Sequence, residues 1–161
     1  MLVRIKNYTM QDVTDGIKML LDRASTCQEL RTLTIGITES SEDKIAAIYR
    51  WIRSNVNYVP DPMGQDGEIE LFISPVKMVK DYNAGLPLGG DCDDIAILAT
   101  SMLRSIGIQS NVMLLDTIGE GFDHAVSRAW SDRLNCWAMV DASTKVVPLG
   151  WAESYQQIII I

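Results

Sequence analysis

Three side chains in this sequence stand where nucleophilic chemistry is possible: Cys92, His124 and Asp141. Cys92 follows Gly89-Gly90-Asp91 and opens an apolar stripe at helical spacing (Ile95, Leu98, Ala99, Met102, Leu103, Ile106), which Gly107 stops. A helix start presents free N–H groups and a partial positive charge, which favours a thiolate over a thiol. The two glycines let backbone and substrate come close. Asp91, Asp93 and Asp94 oppose ionisation, so a thiolate at neutral pH needs an imidazolium beside it. Three flanking acids also suit an ordinary core cysteine poorly.

His124 is the single histidine of the chain. In the stretch 124–130 it shares one face with Val126, Arg128 and Trp130; in 135–141, Asn135, Trp137, Met139 and Asp141 share another. The polar turn between them is Ser131-Asp132-Arg133-Leu134. A hairpin symmetric about the Asp132–Arg133 bond sets His124 directly opposite Asp141, with Cβ atoms about 5 Å apart. The carboxylate then holds one imidazole nitrogen and leaves the other for a thiol. A slip of one residue abolishes the arrangement. Cysteine, histidine and aspartate in these roles form a nucleophile–base–orienter set. Trp130 shares the histidine's face and is a candidate for lining the site.

The elements that position these residues fall into two halves. The stretch 2–8 alternates like a short strand, and a helix follows from Thr9 with Ile17, Leu20, Leu21 and Ala24 on one face. A looser stretch runs through Gly36. Ser40-Ser41-Glu42-Asp43 then resembles an N-cap followed by acidic first-turn residues, before a helix bearing Ile45, Ile48, Trp51, Ile52 and Val56. Two prolines, Pro60 and Pro62, end it. Residues 60–91 are the least regular, with one or two helical turns around 76–82. After Gly107 the period approaches two, giving strands at 111–117, 124–130 and 135–141, with Val146-Val147 a possible start of another. The closing Ile158-Ile159-Ile160-Ile161 reads as a final strand or an adhesive end. Helices first and strands later predict one α+β domain over 1–161 with an antiparallel sheet.

The residues also resemble a family. Gly90-Asp91-Cys92-Asp93-Asp94-x-Ala96, a helix ending Leu103-Arg104-x-Ile106-Gly107-Ile108, a histidine on a strand, and Trp137-x-x-Val140-Asp141-Ala142-Ser143 are similar to the transglutaminase-like superfamily over roughly residues 41–150. Tyr58-Val59-Pro60-Asp61-Pro62 and Ser74-Pro75 resemble the small version common in phage and prophage genomes. The resemblance implies a papain-like α+β fold and a Cys92–His124–Asp141 triad. It also implies thioester-forming acyl transfer on amides of a protein or peptide substrate, with no cofactor. Tyr58 stands where the family places a group that helps bind the oxyanion, and the Cys92 N–H is the other natural donor. The aromatic that often follows the histidine is absent from Ala125-Val126-Ser127-Arg128. Hydrolysis of a peptide or isopeptide bond is favoured, because no separate amine site is evident. Transamidation and a non-catalytic binding or assembly module are the alternatives.

Composition sets the remaining bounds. A net charge of −7 argues against a nucleic-acid-binding surface. The aspartates around Cys92 lack the alternating ligands and closing glutamate of a calcium loop, so no metal is expected. Cys27 and Cys136, without acid or histidine partners, read as core. Three cysteines without a C-x-x-C pair, no signal-like leader and no run near the roughly 20 apolar residues of a membrane span point to a soluble cytoplasmic protein.

Overall fold

The computed structural model describes residues 1–6, 8–64, 67–144, 147–151 and 154–161. In chain order the elements are β1 (Leu2–Lys6), α1 (Met10–Ser25), α2 (Gln28–Thr38), α3 (Lys44–Asn55), β2 (Val56–Tyr58), β3 (Met63–Gly64) and β4 (Gly67–Ile73). There follow α4 (Pro75–Asn83), β5 (Leu88–Gly90), α5 (Cys92–Ser105), β6 (Ser110–Asp116), β7 (His124–Ser131), β8 (Cys136–Val140) and β9 (Gln157–Ile160).

The architecture is α+β, built around α5. Ile97, Leu98, Ala99, Met102 and Leu103 are all at most 1% exposed, so this helix is apolar on every side and must be enclosed. One side packs on a four-stranded antiparallel sheet in the order β8-β7-β6-β9. The small side chains Ala125, Ser127 and Ala129 of β7 are buried, and Thr100 of α5 donates its hydroxyl to Ser127 Oγ at 2.8 Å. The other sides meet α1, α2 and α3. Gly107, at φ +83°, ends the helix, with Ile108 N–H donating back to the Leu103 carbonyl at 3.0 Å.

Several sequence expectations need correction. The looser stretch before residue 40 is in fact α2. Its buried stripe is Leu30, Thr34 and Thr38, only one of them apolar, and the threonine hydroxyls bond back to the carbonyls four residues earlier. The cap of α3 is Asp43 alone, accepting from Ala46 N at 2.9 Å, and no acid stands in the first turn. The irregular segment 60–91 contains β4, antiparallel to β1, and β5, which runs parallel to β2. The closing isoleucines do form a strand, with Ile160 opposite Met113. Val147 is in no strand, and Val146 lies outside the described residues. Among the described residues no helix is long and apolar enough to cross a membrane.

Candidate active site

The start of α5 is fixed by its neighbours on both sides. Asp91 is the N-cap, in extended conformation, with Oδ1 accepting from Asp94 N at 3.5 Å, and Cys92 is the first helical residue. Just before it, β5 pairs in parallel with β2, setting Tyr58 against Gly90, and Val59 N–H donates to the Gly90 carbonyl at 2.9 Å. Tyr58 therefore stands beside the chain entering the helix. Burial and then the negative charge of Cys92 and Asp91 raise its phenol pKa above the usual value.

Gly90 has a steric reason to be glycine. A Cβ there would lie 2.7 Å from Asp94 Cβ and 2.8 Å from Asp94 Oδ2. Gly90→Ala should push the first turn of α5 outward and destabilise the fold by about 1–3 kcal/mol. Thermal melts of both proteins check this, and an unchanged midpoint would refute it.

The hairpin carrying His124 and Asp141 has a different register from the one its sequence symmetry predicts. Ser131 pairs with Cys136, Trp130 with Trp137 and Ser127 with Val140, so the next position sets Asp141 against Val126 rather than His124. The turn is 132–135, centred on the Arg133–Leu134 bond, with Asn135 at φ +52°. Asn tolerates this left-handed conformation, which takes it out of the strand the sequence suggested. The shift is two residues, not one, so the faces are preserved. His124 and Asp141 become diagonal neighbours, within reach of their side chains.

Across that diagonal, His124 Nε2 and Asp141 Oδ2 lie 2.9 Å apart. Asp141 is buried, and its Oδ1 accepts from Ser143 N–H at 3.0 Å and from Ser143 Oγ at 2.6 Å. Burial raises the Asp141 pKa, but the bonds from His124 and Ser143 outweigh it and hold the carboxyl below its usual range. Burial also works against a charged His124. The Asp141 hydrogen bond and the neighbouring Cys92, with the charges of both, reverse this and carry the imidazole up to about 10. With Nε2 engaged by Asp141, Nδ1 is the nitrogen left for the thiol.

Cys92 and His124 line one cleft of about 400 Å³, together with Asp91, Asp93, Glu70 and Phe122 among others. Phe122 and Tyr8, from the loops before β7 and α1, supply its aromatic side chains. Trp130 instead packs edge-on against Trp137 at 5.7 Å, toward the far end of β7. Sequence reasoning passed over Ser143, although it closes the quoted Trp137-to-Ser143 block. It also passed over Glu70, whose strand was not recognised, and over Phe122 and Tyr8, whose loops carry no motif. Cys27 is half-buried at the start of α2, and Cys136 is exposed at the start of β8, so Cys136 is not a core residue.

The acids beside Cys92 behave as the helix cap and first turn, as their positions suggested. Carboxylate oxygens of Asp91, Asp93 and Asp94 gather within 4.8 Å of one another, a spacing that can hold a cation. Burial, then the Asp91 and Glu70 carboxyls, push Asp93 well above the usual carboxylate range. Burial, then Asp91 and Asp61, carry Asp94 up to about 8 although the Ile73 N–H opposes the rise.

Against known proteins, the model of the transglutaminase-like superfamily matches residues 28–142, which include Cys92, His124 and Asp141. The chain belongs to the transglutaminase-like superfamily. No curated protein matches it. Among solved structures it is similar to a candidate cysteine protease from Cytophaga hutchinsonii, at 20% identity and TM-score 0.55, covering 91% of this chain and 55% of that one. A candidate protease from Parabacteroides distasonis matches at 20% identity and TM-score 0.55, over 79% of this chain and 26% of that one. Legionella pneumophila LapG matches at 17% identity and TM-score 0.49, over 83% and 74%. The chain thus spans about half of the first of these proteins and a quarter of the second. At such identities the likeness concerns the fold, which is that of transglutaminase-like and papain-like proteins.

Proposed function

We propose that the protein cleaves a peptide or isopeptide bond through a thioester on Cys92. The observation that carries this reading is the His124–Asp141 hydrogen bond at the edge of a cleft that Cys92 also lines. Cys92 Sγ attacks the amide carbonyl carbon while its proton resides on His124 Nδ1. That proton passes to the departing amine as the C–N bond breaks. Asp141, fixed by Ser143, holds Nε2 and stabilises the imidazolium. The Cys92 N–H, at the start of α5, faces the developing oxyanion, and the Tyr58 hydroxyl is its second donor. Water then attacks the thioester, with His124 removing its proton. Two proteins of similar fold are described as candidate proteases, which supports a protein or peptide substrate.

The test is a peptide library incubated with the intact protein, followed by mass analysis of the protein and of its products. The expected result is acylation of Cys92 and loss of all turnover in Cys92→Ala, with Cys27→Ala and Cys136→Ala remaining active. Full turnover in Cys92→Ala would exclude the covalent mechanism. Addition of a primary amine separates hydrolysis from amine transfer, since transfer gives an amide product in place of the acid.

A further inference from the structure

The cleft beside Cys92 is lined by two unlike groups of residues. One is apolar, with Val13 from α1, Leu114 from β6 and Ala125 from β7. The other is acidic, with Glu70 from β4 and Asp91 and Asp93 at the start of α5. Among the described residues no lysine or arginine lines the cleft. Asp93 is only 8% exposed, its Oδ1 has no hydrogen-bond partner, and burial with the adjacent Asp91 and Glu70 carboxyls raises its pKa. Ionised, a buried carboxyl among other acids is costly unless a cation or a donor completes it.

We infer that this acidic group is a subsite for a basic side chain of the substrate, a lysine or arginine adjacent to the scissile amide. The inference rests on the reading of Cys92 as the acylated nucleophile and adds the substrate's character to it. A guanidinium or ammonium brings several N–H donors and positive charge, which answers the unfilled Asp93 oxygen and its two neighbours together. Its methylene stem suits the apolar residues Val13, Leu114 and Ala125 of the same cleft. A bare metal ion suits the acidic group less well. Asp94, the third member of the tight aspartate trio, points one oxygen at the Ile73 N–H at 2.6 Å and is absent from the cleft's lining. The acids that do line the cleft are Glu70, Asp91, Asp93 and Asp123.

The experiment uses peptides identical except beside the scissile amide, where lysine or arginine is replaced by norleucine or citrulline. Acylation rates at Cys92 are read by mass, with a chelator present. Lysine and arginine peptides should acylate the protein roughly ten- to a hundredfold faster. In Glu70→Gln the ratio should fall severalfold, and the wild-type ratio is decisive whether or not that variant folds. Equal rates for charged and neutral peptides would overturn the subsite while leaving the thioester mechanism standing. So would a neutral peptide made equally reactive by calcium, which would assign the acidic group to an inorganic ion. Failure of every peptide to acylate Cys92 would overturn the mechanism and the subsite with it.

Discussion

His124→Ala should slow alkylation of Cys92 at pH 6.5 by roughly ten- to a hundredfold, while the two proteins converge above pH 9. The helix terminus offers only about 1 kcal/mol toward the thiolate, less than one pKa unit, and the acids beside the sulfur, with Asp93 and Asp94 raised above their usual range, offer nothing toward it. The remainder must come from the imidazolium. Against the cost of burial, Asp141 and Cys92 together raise the His124 pKa to about 10, so the ring stays protonated through neutral pH. Labelling of the wild type should therefore stay fast well below about 8.5, where a free cysteine ionises. Without the ring, the rate should fall about tenfold for each pH unit below that value, or about a hundredfold by pH 6.5. The stabilised thiolate is a weaker nucleophile, with a Brønsted slope of about 0.4–0.5, which returns part of the difference. Iodoacetamide labelling against pH, resolved by peptide mass, measures this. Resolution matters because Cys136 is exposed and will react as well. Superimposable profiles would mean that His124 does not activate the thiol, favouring a non-catalytic module.

What the sequence displays depends on whether one short segment carries the signal. The helix of Cys92 was legible because its cap, stripe and terminal glycine all lie within 91–107 and agree. The shared face of His124 and Asp141 was legible because a strand's period of two survives an even slip. The register itself was not. It depends on Asn135 adopting φ +52°, and nothing in Ser131-Asp132-Arg133-Leu134 announces that the turn extends one residue further. Strand β4 was hidden for another reason. Gly64 and Gly67 break the pattern around it, and its partner β1 lies some 65 residues away. With β4 unseen, Glu70 and the acidic group of the cleft were unseen too. Only the tertiary pairing brings that strand to the start of α5, where Ile73 N–H meets Asp94.

Asp94→Asn should raise the melting temperature at pH 8.5 by roughly 5–10 °C and leave it nearly unchanged at pH 4. Asp94 is 1% exposed, with Oδ1 accepting from Ile73 N at 2.6 Å and Oδ2 without a partner beside Gly90. Burial first, then the charges of Asp91 and Asp61, carry its folded pKa from 3.8 to about 8. Between those two values the folded protein holds a proton that the unfolded chain has released. Unfolding is then favoured by rising pH: stability falls from about pH 4 and levels off above about 8. The loss is on the order of a few kcal/mol, and each kcal/mol moves the midpoint of a domain of this size by about 2–4 °C. Asparagine keeps the Oδ1 acceptor for Ile73 and carries no charge, so it imitates the protonated acid at every pH. The subtraction is needed because other groups titrate too. His124, raised to about 10, contributes stability that is complete below about 6.5 and lost as pH rises through 10, whereas Asp141, depressed, contributes above its usual range. Both are present in wild type and variant and cancel in the difference, whereas Asp93, whose pKa the Asp94 charge helps to raise, is shifted less in the variant. Melts at pH 4, 6 and 8.5 should show the two curves separating as pH rises. A constant offset, or a gain greatest at pH 4, would show that Asp94 is not the group whose charge strains the start of α5.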